Sequence, residues 1–124
     1  MSKTVYTDKA PAAIGPYSQA IISGNLVYTS GQIPIVPETG AVEASDIQGQ
    51  TEQVCKNLCE VLNAAGTSIE KAVKTTCFLK NMEDFAAFNA VYEKYFVSKP
   101  ARSCVAVKEL PKNVLVEIDT VAEV

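Results

Sequence analysis

The 124-residue chain contains no histidine. That absence excludes Ser-His-Asp triads, Cys-His dyads, histidine-ligated zinc and the commonest general base in one step. Catalysis, if present, must run on carboxylates, hydroxyls, amides, thiols, Arg or Lys. A basic excess is also missing, since 11 Lys and Arg stand against 14 Asp and Glu for a net charge of -3. Phosphate contacts supply most of the affinity of a general nucleic-acid binder, so nucleic acid is disfavoured as a partner. The lysines scatter without interleaved aromatics and read as solvated faces. No apolar run approaches the ~18 residues a membrane helix needs, and the first nine residues have no apolar signal-peptide core. A cytoplasmic protein with no membrane partner is expected. Gly24, Gly31 and Gly40 do not compose a phosphate loop. The four cysteines, Cys55, Cys59, Cys77 and Cys104, include no C-x-x-C pair. They read as structural thiols rather than a metal site, and a reducing compartment disfavours disulfides.

What is present is an ordinary globular composition, 48% hydrophobic and 20% charged, which excludes disorder and fits a single domain over 1–124. Residues 3–7 read as a short strand. Two β-prone runs, 17–23 and 26–33, flank Gly24-Asn25 and predict a hairpin. Pro34, Pro37 and Glu38-Thr39-Gly40 read as a loop. Ser45 and Gln48 form a capping-box spacing, and Ile47, Thr51, Val54, Cys55, Leu58, Val61, Leu62 and Ala65 then recur at the helical period up to Gly66. Residues 72–80 alternate as a strand. A second helix is predicted from about Met82 to Phe96, with Phe85, Phe88, Asn89, Tyr92, Tyr95 and Phe96 as its stripe. Strands at about 101–108 and 114–122 flank Leu110–Asn113. The fold class is α+β, about six strands in a mixed sheet with two helices packed on one face, leaving the other face solvated or covered by another subunit.

If the last two strands pair antiparallel across Leu110–Asn113, their apolar sets share a side. Arg102, Cys104 and Ala106 then join Leu115, Glu117 and Asp119 on the opposite side, as a polar patch away from the core. Each candidate has a plainer reading beside the functional one. Arg102 with Glu117 or Asp119 is also a plain surface ion pair. Asn89, on the buried stripe, suits a structural hydrogen bond or a site. Tyr17, directly after Gly15-Pro16, suits packing or chemistry, and Ser30-Gly31 suggests a bulge or a close backbone approach.

Several motifs in order resemble the Rid family, also called YjgF. They are Ala-Ile-Gly-Pro-Tyr-Ser-Gln-Ala at 13–20, Thr-Ser-Gly-Gln-Ile-Pro at 29–34, Ala64-Ala65-Gly66, Asp84-Phe85 through Asn89 and Tyr92, Pro-Ala-Arg-Ser-Cys-Val at 100–105, and Val-Glu-Ile at 116–118. The resemblance implies a chorismate-mutase-like fold, a homotrimer with sites in the clefts between subunits, and no cofactor or metal. The family's deaminase branch hydrolyses reactive 2-enamino and 2-imino acids to 2-oxo acids and ammonia, and an Arg in Pro-Ala-Arg marks that branch. Carried over, Arg102 would grip the substrate carboxylate and Glu117 would polarise the attacking water. Tyr17 and Ser30 would complete the pocket, the Gly31 and Cys104 backbones would orient the imine, and Asn89 would lie near it. The connector Val97-Ser98-Lys99 is shorter than is usual among such proteins. The competing classes within the resemblance are a ligand-binding regulator and a translation-inhibiting ribonuclease, the latter weakened by the missing histidine.

Overall fold

The computed structural model describes residues 2–124. Its strands are β1 (Lys3–Val5), β2 (Ala20–Ser23), β3 (Leu26–Thr29), β4 (Ile35–Val36), β5 (Ala41–Val42), β6 (Ala72–Leu79), β7 (Ala101–Ala106) and β8 (Val116–Glu123). Its helices are α1 (Ile47–Ala64) and α2 (Phe85–Tyr95). Six strands make a mixed sheet in the order β1-β2-β3-β8-β6-β7. The α+β class and the two-helix, six-strand plan are as the sequence predicts.

The local signals act largely where they were read. Gly24, at φ +62, lets two residues close the β2–β3 hairpin. Helix α1 ends in a Schellman motif: the Thr67 N–H donates to the Leu62 carbonyl at 3.0 Å and the Gly66 N–H to that of Asn63 at 3.0 Å. Its start differs from the expected box by one residue. Asp46, not Ser45, is the cap, its carboxylate accepting from the Gly49 N–H at 2.8 Å. A carboxylate one position later caps in the same way, moving the helix start by one residue to Ile47. The region read as loop holds a small separate hairpin, β4 with β5, too short for period-2 alternation to register.

Val54, Leu58, Val61 and Leu62 of α1 are fully buried, as are Val27, Val116 and Ile118 of the sheet, and α1 lies over β8 and β3. Side chains of directly opposed residues share a face. Thr75, Cys77 and Leu79 therefore lie on the helix-covered side with Thr120, Ile118 and Val116, their partners on β8. The opposite face carries Lys74, Thr76, Phe78, Glu117, Asp119 and Tyr28, all exposed or half-buried.

The order of the last strands overturns the expected hairpin. Strand β7 pairs parallel with β6, with Thr75 opposite Arg102 and Cys77 opposite Cys104, while β8 lies antiparallel between β6 and β3. The physical reason is the helix between β6 and β7. A strand-helix-strand crossover returns the chain in the direction it started and lays the second strand beside the first. The chain then travels past β6 to insert β8 on its other side.

Candidate active site

One half of the site is a cavity of about 470 Å³ whose lining includes Tyr17, Ser30, Gly31, Gln32, Lys112 and Glu117. Beyond β3 the chain remains tied to β8, because Gln32 and Ile118 exchange backbone hydrogen bonds at 2.8 and 3.2 Å. This brings Gly31 against Glu117. A Cβ at Gly31 would overlap the Glu117 carboxylate, so the close approach suggested by Ser30-Gly31 is real, and the glycine lets the Glu117 side chain lie against the Gly31 backbone. Ser30 is fixed by its N–H donating to the Gln19 carbonyl at 2.9 Å and its hydroxyl donating to the Ser18 carbonyl at 2.6 Å. Tyr17 remains 52% exposed, so its phenol faces the cavity mouth rather than the core.

Three buried amides, which sequence reasoning passed over, hold this half together. Gln19 accepts from the Thr7 N–H and donates to the carbonyls of Thr7 and Pro11. Gln50 donates to the Ala44 carbonyl and accepts from the Leu115 N–H, and Asn57 donates to the carbonyls of Ile33 and Ile35. Loop backbone packed beside a cavity needs such partners, since an unpaired buried group costs more than the bond returns. The signal was available: Gln50 and Asn57 sit on the buried stripe of α1 beside Thr51, Val54 and Leu58. Lys112, read as solvated, lines the cavity mouth with its backbone in the left-handed region at φ 55.

Burial, with the neighbouring Asp119 charge second, raises the Glu117 carboxyl above its ordinary value. A carboxylate that holds its proton more tightly is a better acceptor from water. Asp119 is raised as well, chiefly by burial, with hydrogen bonds from Thr76 opposing. Among the described residues no group of three His, Cys, Asp or Glu could hold a metal, and no helix is long and apolar enough to cross a membrane.

The other half lies elsewhere. Because Arg102 is opposite Thr75 and Glu117 opposite Phe78, the two are on opposite faces of the sheet. The expected single patch of Arg102, Cys104, Ala106, Leu115, Glu117 and Asp119 does not exist within one chain. It failed because it assumed direct β7–β8 pairing. Arg102 instead extends under α2, its Nη1 donating to Asn89 Oδ1 at 2.7 Å. Its Cζ is 4.8, 5.4 and 5.9 Å from the ring centroids of Tyr92, Phe85 and Phe88. Cys104, next on the same face, is half-buried, and burial raises its thiol while Arg102 opposes the rise. Burial also holds Cys77 protonated, up to about 12, and Cys59 up to about 11. All four cysteines are free.

The small α+β domain thus carries a carboxylate pocket on one face of its sheet and a seated arginine on the other. Residues 7–124 match the model of the endoribonuclease L-PSP family. A Salmonella typhimurium protein named 2-iminobutanoate/2-iminopropanoate deaminase is 50% identical over 126 residues, covering 98% of each chain. A Lactococcus lactis protein that carries the regulator name AldR is 53% identical over 123 residues, again covering 98% of each. The solved structure of Escherichia coli TdcF with bound serine superposes with a TM-score of 0.93 at 42% identity, covering 98% of each chain. The chain belongs to the endoribonuclease L-PSP family, which is the YjgF/Rid family of the sequence motifs, and its fold is the chorismate-mutase-like one they imply.

Proposed function

We propose that this protein hydrolyses 2-imino acids and their enamine tautomers to 2-oxo acids and ammonia, in sites assembled between the subunits of a cytoplasmic homotrimer. The observation that carries the reading is a half-buried Glu117, its carboxyl raised by burial, beside a glycine backbone, together with an arginine pre-seated on aromatic rings. The first suits a water to be activated; the second suits a carboxylate to be gripped. The deaminase name of a relative identical at half its positions supports the same chemistry.

The site needs a second copy, because Arg102 and Glu117 of one chain face away from each other. Contact between patches on opposite faces of identical chains is heterologous; where its rotation closes it makes a ring of three or more, and the family resemblance points to three. Scattering at three times 13.3 kDa is the expected result.

In the proposed step, Arg102 of one subunit holds the substrate carboxylate, with Asn89 steadying the guanidinium. Tyr17, Ser30 and the Gly31 backbone of the other subunit's pocket border the imine, and the Cys104 backbone borders the carboxylate end. Glu117 takes a proton from water as its oxygen bonds to the imine carbon. Glu117 passes that proton to the nitrogen of the resulting carbinolamine; as the carbon–nitrogen bond breaks, Glu117 takes the hydroxyl proton, the carbonyl forms, and ammonia leaves a 2-oxo acid. A protonated imine is already a strong electrophile, so positioning and one carboxylate suffice without histidine, metal or cofactor.

The test couples a serine or threonine dehydratase to detection of the 2-oxo acid, with buffer hydrolysis subtracted. Arg102→Ala should slow turnover by about 30- to 700-fold, since paired charge-assisted bonds contribute roughly 2–4 kcal/mol and ~1.4 kcal/mol is tenfold. Arg102→Lys should restore little, as an ammonium cannot reproduce the planar fork. An unchanged Arg102→Ala rate would replace this reading with that of a carboxylate-binding regulator, the class suggested by the AldR name. Cleavage of RNA is disfavoured by the net charge of -3 and the missing histidine.

A further inference from the structure

The β6–α2–β7 crossover places three side chains in one closed set. Thr75 on β6 is directly opposite Arg102 on β7. Tyr92 of α2 lies over both: its hydroxyl is 2.7 Å from the Thr75 hydroxyl, and its ring centroid is 4.8 Å from the Arg102 Cζ. Thr75 is fully buried and Tyr92 is 7% exposed. The ring is also held from the sides, stacked on Phe96 at 4.4 Å and tilted against Phe88 at 5.4 Å.

We propose that Tyr92 is a positioning residue for Arg102: its ring, locked by the buried hydrogen bond to Thr75, fixes the guanidinium plane so that the fork meets a substrate carboxylate pre-aligned. The proposal rests on the reading of Arg102 as the carboxylate grip. Of the guanidinium's five N–H groups, Asn89 takes one through Nη1, and an aromatic face consumes none of the remaining four. A seat made of rings therefore orients the fork without competing for its donors, which a carboxylate partner would do. The hydroxyl pair has no comparable use in packing. A buried Thr needs a hydrogen-bond partner that a Val of the same shape would not, and here the partner is the atom that stops the Tyr92 ring from rotating out of register. Burial raises the Tyr92 phenol above its ordinary value, with the Thr75 bond opposing, so the hydroxyl stays intact at neutral pH.

The test uses the full-length protein and three substitutions. Tyr92→Leu removes the ring and should raise KM about 3- to 30-fold, the range of a partly desolvated cation–π contact, with a smaller change in kcat. Tyr92→Phe and Thr75→Val keep the ring but unlock it, and should raise KM by less. In an Arg102→Lys background Tyr92→Leu should change KM by under about twofold, because the planar group it aligns is gone. A merely structural Tyr92 would lower activity equally in both backgrounds, and that result overturns the proposal. A second readout does not depend on turnover. With ¹⁵N-labelled arginine, the Arg102 Nε–Hε resonance should lie upfield from the ring current, move in Tyr92→Leu, and broaden in Tyr92→Phe and Thr75→Val. If the wild type shows no imine hydrolysis but this pattern appears, the functional reading fails and the seat stands. If the resonance is indifferent to Tyr92, the seat fails whatever the enzyme does. Should Tyr92→Leu not fold, Tyr92→Phe and Thr75→Val decide by the same two measures.

Discussion

Arg102 and Glu117 stand on opposite faces of one sheet, on strands separated by β6. Two strand spacings and the three-residue offset from Thr75 to Phe78 put their backbones roughly 14 Å apart before the faces are considered. If they share a site, they come from different subunits, and complementation follows. The Arg102→Ala and Glu117→Gln proteins should each be nearly inactive. Mixing the two chains at equal amounts through refolding or co-expression should return roughly a quarter of wild-type sites, those taking Arg from one variant and Glu from the other. Absence of any recovery in mixed trimers, verified by mass, would place both residues' roles within a single chain and sink the shared site.

Gly31 tests the pocket half alone. In Gly31→Ala the new methyl occupies the space of the Glu117 carboxylate, and the flexible end of Glu117 can swing away. Stability should fall by only about 1 kcal/mol, while kcat falls at least tenfold because the carboxylate no longer meets the water. Thermal melts and steady-state kinetics on the same preparation separate the two effects. A kcat equal to wild type would mean that Glu117 acts from elsewhere or not at all.

The sequence carried the architecture well because its signals are local. Gly24-Asn25 closes a hairpin and Gly66 ends a helix through contacts within a few residues. The placement of the candidate residues was legible only in part. Tyr17, Ser30, Gly31 and Glu117 do meet in one cavity, and Asn89 does bond Arg102. Their division into two halves was hidden because it depends on which strand neighbours β7. Alternation fixes which residues of a strand share a face but not which face meets the helices. Val105, which shares its strand face with Ser103 rather than with Arg102, is 46% exposed, so that apolar face of β7 is not the helix-covered one. The helix between β6 and β7 was the available cue, since such crossovers make parallel neighbours. Gln19 was missed for another reason: a buried amide in a loop is recognised by the backbone it satisfies, and loops leave no periodic trace, whereas Gln50 and Asn57 carried a signal on the buried stripe of α1.

The raised Glu117 carboxyl predicts a pH-dependent stability. Burial, then Asp119, disfavours its charged form in the fold, so ionisation costs stability at neutral pH. That cost disappears as pH falls through the raised folded value and is absent below the ordinary carboxylate range. Glu117→Gln should therefore melt above wild type at pH 7, and the two curves should converge near pH 4. Melting temperatures across that window, at fixed protomer concentration, provide the check. A lower melt for Glu117→Gln at pH 7 would mean that a cation of the assembled trimer stabilises the charge.

Cys104 separates a backbone role from a thiol role. Burial raises its thiol, so the thiolate needed by a nucleophile is scarce at neutral pH. Cys104→Ser keeps the backbone and nearly the shape, and should retain at least about half of kcat/KM. Loss of turnover in a folded Cys104→Ser trimer would point to covalent chemistry through sulfur.

The short connector between α2 and β7 carries a cost that can be removed. Only Val97-Ser98-Lys99 separate Phe96 from Pro100, and the chain must reverse within them. The Lys99 N–H bonds the Phe96 carbonyl at 3.1 Å, the Ser98 hydroxyl donates to the Ala72 carbonyl at 2.9 Å, and Lys99 is left at φ 53. A non-glycine residue in that left-handed region costs roughly 1–2 kcal/mol, because Cβ crowds the following carbonyl oxygen. Its side chain is exposed, so little packing is lost with it. Lys99→Gly removes the crowding but adds backbone freedom to the unfolded chain, leaving a net gain of about 0.5–1 kcal/mol. Lys99→Asn should gain less, and Lys99→Val should lose stability, since β-branching makes the left-handed region worse. Urea midpoints at equal protomer concentration and unchanged m-value would show the ordering Gly, Asn, Lys, Val. If Lys99→Gly unfolds at lower urea than wild type, the lysine side chain rather than the backbone sets the energetics of this turn.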